Sequence, residues 1–235
     1  MPNFTVRSDE QELMDDFNVK DQGLLRTLRE LEIINLWLGG NNITFSGLET
    51  LLKQAGQQPV TVVDLGCGSG DMVRQLAKRF KKNHPQIKLI GVDANPAVIE
   101  YAKSKSVDFP DIEFITDDIF SERFQKREFD IILCTLFTHH FEDNTLLQLL
   151  KHWRSQAKIG VVINDLHRHW FAYHSIDWLT RLFSKSYMTK YDAKLSVLRS
   201  FKKNELENLT QKAGWMQFSL KWKWAFRWQL ILSHH

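Results

Sequence analysis

Residues 60–71, Val-Thr-Val-Val-Asp64-Leu-Gly66-Cys67-Gly68-Ser-Gly70-Asp71, run an apolar stretch into a turn of three alternate glycines. Glycines let a backbone turn tightly and bring its amides close to a ligand. The spacing is GxGxG, and Asp71 stands where a dinucleotide-binding GxGxxG needs its last glycine. Asp64 closes the apolar stretch just ahead of the turn, where a carboxylate suits a cationic amino-acid group better than a pyrophosphate. Asp93 with Ala94, in Leu89–Pro96, ends the next apolar run, where doubly wound sheets bind a ribose diol with an acid. Asp117, Asp118 and Ile119 close a third run, and an acid there can accept from an adenine amino group. Cys134 closes a fourth, Phe129–Phe137. Histidines follow the fourth and fifth runs, His139-His140 and then His167-Arg168-His169, and imidazoles move protons near neutral pH.

These residues need a scaffold that puts strand ends along one edge. After Pro59, short apolar runs at 60–64, 87–92, 112–116, 129–134 and 158–164 alternate with helical segments near 71–82, 96–105 and 142–155, which argues for βαβ units and a parallel sheet. Val161-Val162-Ile163 is apolar without alternation, as a strand covered on both faces requires. Ligands of doubly wound sheets bind at the strands' carboxyl ends, at the switch point between the first and fourth strands. Upstream, Asp21 has the character of a helix cap, Leu24 to Leu38 recur at helical spacing as far as Gly39-Gly40, and a second helix covers about 43–55. Residues 1–58 thus read as a helical cap and 59–235 as the ligand-binding domain, with a helical insertion at about 166–200. A helix over Lys202–Lys212 and two strands, about 215–221 and 224–232, complete the chain. The last strand is expected to set Trp222, Trp224, Phe226 and Trp228 on one face and Lys221, Lys223 and Arg227 on the other. A covered sheet face and a base-stacking platform both produce that pattern.

The chain has 235 residues, 43% hydrophobic and 25% charged, enough for a packed core. Two cysteines, Cys67 and Cys134, are too few for a disulfide framework, and no metal-ligand spacing occurs. Both are read as small buried thiols rather than nucleophiles. No apolar run is long enough to span a membrane and residues 1–16 lack a signal-peptide pattern, so a cytoplasmic protein is expected. A net charge of +3 permits an anionic partner without demanding one. The His234-His235 pair resembles a tag remnant and is left out of the functional reading.

The order DLGCGSG, GVDANP, TDDI, FDIILCTLFTHHF resembles class I methyltransferases that use S-adenosylmethionine (SAM). The resemblance covers about residues 60–164. It implies an α/β, doubly wound, seven-stranded and mostly parallel sheet with an antiparallel last strand, and SAM as cofactor. Asp64 and the Gly66–Gly70 loop, Cys67 included, would hold the methionine part. Asp93 and Ala94 would meet the ribose, and Asp117 or Asp118 with Ile119 would frame the adenine, beside Cys134. More loosely, ELMDD at 12–16 and NDLHRH at 164–169 resemble bacterial methyltransferases of quinone, phenolic and polyketide-type metabolites. A phenolic oxygen or carbon acceptor needs a proton removed, which makes His139, His140 and His167 candidate bases. The aromatic insertion, with Trp170, Phe171, Trp178 and Phe183, would line an apolar acceptor pocket or pack as a lid. The Asp and Asp-Asn of metal-dependent catechol-type enzymes are replaced by Cys134 and Asn164-Asp165, so no catalytic metal is expected. The reading is therefore methyl transfer to a small hydrophobic acceptor by a monomer or homodimer, with no nucleic-acid partner. RNA or protein methylation, and SAM binding without catalysis, are the alternatives, and a nicotinamide oxidoreductase is disfavoured by Asp71.

Overall fold

A computed structural model describes residues 2–15 and 22–234. Asp21 and Phe17 lie outside the described residues, so the cap assigned to Asp21 is not among the observations. Seven strands form one sheet in the order β3-β2-β1-β4-β5-β7-β6. They are β1 (Val60–Leu65), β2 (Ile87–Asp93), β3 (Ile112–Thr116), β4 (Phe129–Thr135), β5 (Ala157–Leu166), β6 (Gln217–Lys223) and β7 (Arg227–Ser233). All neighbours pair in parallel from β3 to β5, and β7 runs antiparallel to both β5 and β6.

Helices cover both faces, and the period-2 geometry of a strand explains how one apolar run serves two layers. Ile131 and Leu133 pack beneath α2 (Asn41–Ala55), α3 (Asp71–Phe80) and α4 (Pro96–Lys105), while Ile132 and Cys134 pack against α5 (Glu122–Gln125), α6 (Asp143–Gln156) and α9 (Lys203–Lys212). Val161, Val162 and Ile163 alternate in the same way. Local chemistry fixes the helix starts. Asn95 accepts from the Ala97 amide at 3.0 Å and Pro96 supplies a preset first turn, so α4 begins where β2 has just delivered Asp93. The Gly70 φ of 74° turns the chain from the loop into α3.

Four sequence expectations change. α2, assigned to a cap, is a layer of the sheet: Phe45, Leu48, Leu51 and Leu52 join the core with Val60 and Val62. α1 (Gln22–Trp37) is the outlying piece, sharing a small cluster with Val98 of α4. The last strand begins at Arg227, because Trp224, Ala225 and Phe226 form the β6–β7 turn. Directly paired residues share a face, so Trp222 and Trp228 lie on one face of the hairpin and Lys221, Lys223 and Arg227 on the other, as expected, whereas Trp224 and Phe226 belong to the turn; Trp228 is buried and Arg227 is only 3% exposed. The insertion forms α7 (Trp170–Phe183) and α8 (Tyr187–Arg199), and Trp170, Phe171, Trp178 and Phe183 are exposed rather than packed as a lid. His234 is part of the fold, bonded to the Ala157 carbonyl at 2.8 Å and packed on Trp215. Among the described residues no helix is long and apolar enough to cross a membrane.

Candidate active site

The carboxyl ends of β1, β2, β3 and β4 open into a cavity of about 560 Å³, within the range that holds small ligands. Its floor is Gly66, Gly68, Val92, Asp93 and Ala94, and its far wall is Asp117, Asp118 and Ile119. Phe120, Leu136, Phe137, His140 and Phe141 form the side next to β4. Met14, Asp15, Leu24 and Leu28 close it from the N-terminal segment.

The loop after β1 is built around Asp93. One carboxylate oxygen accepts from the Gly68 amide at 3.1 Å and the other from the Asn95 amide at 3.0 Å. Asp93 thus ties the glycine turn to the start of α4. Gly66 has a φ of 67°, and a Cβ there would strike the Phe137 ring, so only glycine lets these two segments meet. Behind the loop lies Asp64, 3% exposed, with Oδ1 free of any hydrogen bond. Burial, and then the charges of Asp71 and Asp93, hold its carboxyl well above the usual carboxylate range. Asp71 is raised as well, by burial and Glu32. Three acids around one orphaned oxygen fit a cationic group. Asp117 accepts from Ser121 at 3.0 Å and pairs with Arg123 at 2.9 Å, while Asp118 accepts from the Phe120 amide at 2.9 Å.

Of the sequence-selected residues, Gly66, Gly68, Asp93, Ala94, Asp117, Asp118, Ile119 and His140 line the cavity. Asp64, Cys67, Gly70 and Cys134 lie behind its wall, and burial raises both thiols far above their normal pKa. The three histidines separate. His139 is 1% exposed and sits between acids: Nδ1 is 2.7 Å from Asp165 Oδ1, and Nε2 is 3.4 Å from Glu12 Oε1. Burial favours the neutral ring, but Asp165 and then Glu12 outweigh it and raise His139 to about 10. The two acids favour the imidazolium form, and the approach of Nε2 to Glu12 sets the N-terminal segment beside the loop after β4. Glu12, His139 and His140 bring ligand-type atoms within 4.8 Å of one another, a proximity that this ion pair already explains. His167 lies away from the cavity, edge-on to Trp228 at 4.9 Å, and burial together with the charge of His169 lowers it to about 4.

Sequence reasoning passed over Asp15 as a functional residue, although its segment had been noticed. Asp15 Oδ1 lies 2.8 Å from His140 Nδ1, without in-line hydrogen-bond geometry. The two residues are too far apart in the chain for any local pattern to join them. Phe137 and Phe141, ring centroids 5.0 Å apart, were also missed, as was Leu136, which has a φ of 53° and whose backbone N–H donates to the Asn164 carbonyl at 2.8 Å. A non-glycine residue in that region is uncommon and marks a site held by its surroundings.

Residues 62–160 match a family model described as a methyltransferase domain. Over that stretch the chain is similar to methyltransferase domains. The chain is 31% identical over 110 residues to trans-aconitate 2-methyltransferase of Deinococcus radiodurans, a match covering 46% of this chain and 39% of that one. It is 27% identical over 149 residues to ribosomal RNA large subunit methyltransferase G of Shewanella amazonensis, covering 60% of this chain and 37% of the relative. The matches span about two fifths of the length of the first curated relatives. By structure, the chain overlays the plantazolicin methyltransferase BpumL, solved with a triazolic desmethylPZN analogue and S-adenosylhomocysteine (SAH), with a TM-score of 0.63 at 21% identity, covering 91% of this chain and 83% of that one. It overlays human N-acetylserotonin methyltransferase, solved with SAM, at 0.64 and 16% identity, covering 96% and 59%. The sheet order is therefore the class I methyltransferase fold.

Proposed function

We propose that the methyltransferase domain binds SAM in the cavity and transfers its methyl group to a small hydrophobic acceptor, with His140 as the base. The observation that carries this reading is the cavity itself. It joins the carboxylates of Asp93, Asp117 and Asp118 to a side of Phe120, Phe137 and Phe141, with the His140 imidazole on that side. The residues fit the cofactor: the unpartnered Asp64 oxygen suits the ammonium, Asp93 the ribose diol, and Asp117, Asp118 and Ile119 the adenine. SAM supplies a methyl group on a sulfonium, already activated for displacement.

The chain's own part is to align the acceptor, exclude water and take a proton. The N-terminal segment covers the cavity and the phenyl rings leave the acceptor little water. Asp15 beside Nδ1 favours the tautomer with its proton there, which frees Nε2 to accept. His140 Nε2 would take the acceptor hydroxyl proton and later release it to solvent. A phenolic or quinol-type acceptor matches this chemistry.

Relatives named for RNA substrates keep a second reading in view. Calorimetry with SAM, SAH and NAD, followed by turnover with phenols and quinols, tests both. Micromolar SAH binding that is lost in Asp93→Ala, with turnover of a phenol, supports the proposal. Tight SAH binding with salt-sensitive binding of RNA and no phenol turnover moves the acceptor to RNA. Absence of SAM and SAH binding by folded protein would sink the reading.

A further inference from the structure

Among the described residues two buried arginines make no ion pair, Arg199 and Arg227, and Arg199 is satisfied by the carbonyls of Glu10, His139 and His140. Arg227 opens β7, is 3% exposed, and its Nε and one terminal nitrogen have no hydrogen-bond partner. It makes no ion pair among the described residues. Asp165 acts on it through space but is already committed to Thr138 and His139. Burial lowers the Arg227 pKa only to about 10, so it keeps its charge at neutral pH. A guanidinium taken from water without a counter-charge is among the costliest groups a fold can hold, and an apolar side chain would fill the same space better.

Its surroundings are equally unfinished. Asn35, Asn41 and Asn164 are all buried, and each leaves one amide atom unbonded: Asn35 Oδ1, Asn41 Nδ2 and Asn164 Oδ1. The four side chains meet around Gly40. Asn164 donates to the Gly40 carbonyl at 2.9 Å, Asn35 donates to Asn41, and a Cβ on Gly40 would stand 2.8 Å from Arg227 Cζ. The cluster lies directly behind the cavity wall, because the Asn164 carbonyl accepts from Leu136, and Leu136 lines the cavity.

We infer that Arg227 with Asn35, Asn41 and Asn164 is a carboxylate-binding site, and that it holds the acid group of the methyl acceptor. A planar carboxylate presents two oxygens to the guanidinium fork, and arginine suits such two-point recognition where lysine does not. The free Asn35 and Asn164 oxygens would accept from a hydroxyl on the same ligand. The acceptor is then an acid as well as a hydrophobe. That last step rests on the methyl-transfer reading, whereas the carboxylate site stands without it.

The test is thermal unfolding of the full chain with benzoate, against benzamide as the neutral isostere, each with and without SAH. The expected result is a rise of several degrees with millimolar benzoate, none with benzamide, no benzoate response in Arg227→Gln and a weakened one in Arg227→Lys. Should Arg227→Gln not fold, the Arg227 Nε–H signal in nitrogen-15 NMR of the unaltered chain decides, since benzoate must move it. No response to benzoate, an equal response to benzamide, an unchanged response in folded Arg227→Gln, or a static Nε–H signal overturns the site. A benzoate response in protein that does not bind SAH keeps the carboxylate site and removes the methyltransferase reading.

Discussion

At the scale of single residues, the cavity stores unfavourable electrostatics that a ligand would relieve. Asp64 is buried, unpartnered and crowded by Asp71 and Asp93. Replacing it with asparagine removes a buried charge that no hydrogen bond to Oδ1 offsets. Asp64→Asn should therefore raise the melting temperature without ligand and weaken SAH binding more than tenfold. Melting and calorimetry read the two effects, and a lower melting point with unchanged affinity would contradict the role given to Asp64. His140 answers to a different measurement. If it is the base, His140→Asn lowers turnover by about 10²–10⁴-fold while SAH affinity changes little. His167→Asn should stay near the parent rate, since its ring faces Trp228 rather than the cavity. Equal losses in both variants would show that neither ring is the base. The carboxylates at strand ends were legible in the sequence because each acid follows its own apolar run. Choosing among the histidines was not legible, because the choice depends on which ring meets Asp15, Asp165 or Trp228.

At the scale of elements, long-range polar clamps set the cavity's edge. Arg7 donates to the carbonyls of His139 at 3.0 Å and Phe141 at 2.8 Å, and pairs with Asp143 at 2.6 Å. Asp192 of α8 accepts from the amides of Leu13 at 2.8 Å and Met14 at 3.1 Å. Arg199 reaches the His139 carbonyl at 3.2 Å from the end of the same helix. None of this could be read from the sequence, which indicated a helical insertion at about 166–200 but not what it holds. At the centre is the His139–Asp165 pair. Removing one partner leaves the other charge buried, so Asp165→Asn should cost about 3–5 kcal/mol in denaturant unfolding. The pH dependence has a definite sign. His139 is raised when folded, so its contribution is full below its ordinary pKa of about 6.5 and is lost as pH rises through about 10. Asp165 is held well below the usual carboxylate range by the His139 charge and hydrogen bond, which outweigh burial, so its contribution is lost as pH falls below about 3.9. The denaturation midpoint should decline from pH 7 to 10.5 in the parent protein and do so less in Asp165→Asn. A flat parent profile would mean that His139 is neutral.

For the whole molecule, the sheet and the segments that close it differ in how they are encoded. Apolar runs separated by turn residues specify β1 to β5, and their order follows from the handedness of successive crossovers. The hairpin end is less legible: Trp222 to Trp228 alternate in type, yet three of those residues are spent on a turn, and the spacing alone does not show where a strand stops. The N-terminal segment is the least legible, since its partners lie on the β4 loop and α8. It nonetheless supplies Met14 and Asp15 to the cavity, which couples ligand binding to closure. SAH at a hundred times its Kd adds about 2.7 kcal/mol to folding stability by mass action. For a chain of this size that is roughly 5–10 °C in melting temperature, at about 2–4 °C per kcal/mol. Arg7→Ala loosens the segment without touching the glycine loop or Asp93, so it should lower SAH affinity several-fold and leave the shift at matched saturation nearly unchanged. An Arg7→Ala protein that binds SAH as tightly as the parent would show that the sheet edge alone holds the cofactor. The N-terminal segment would then serve only the acceptor, and the loss would appear in the acceptor KM instead.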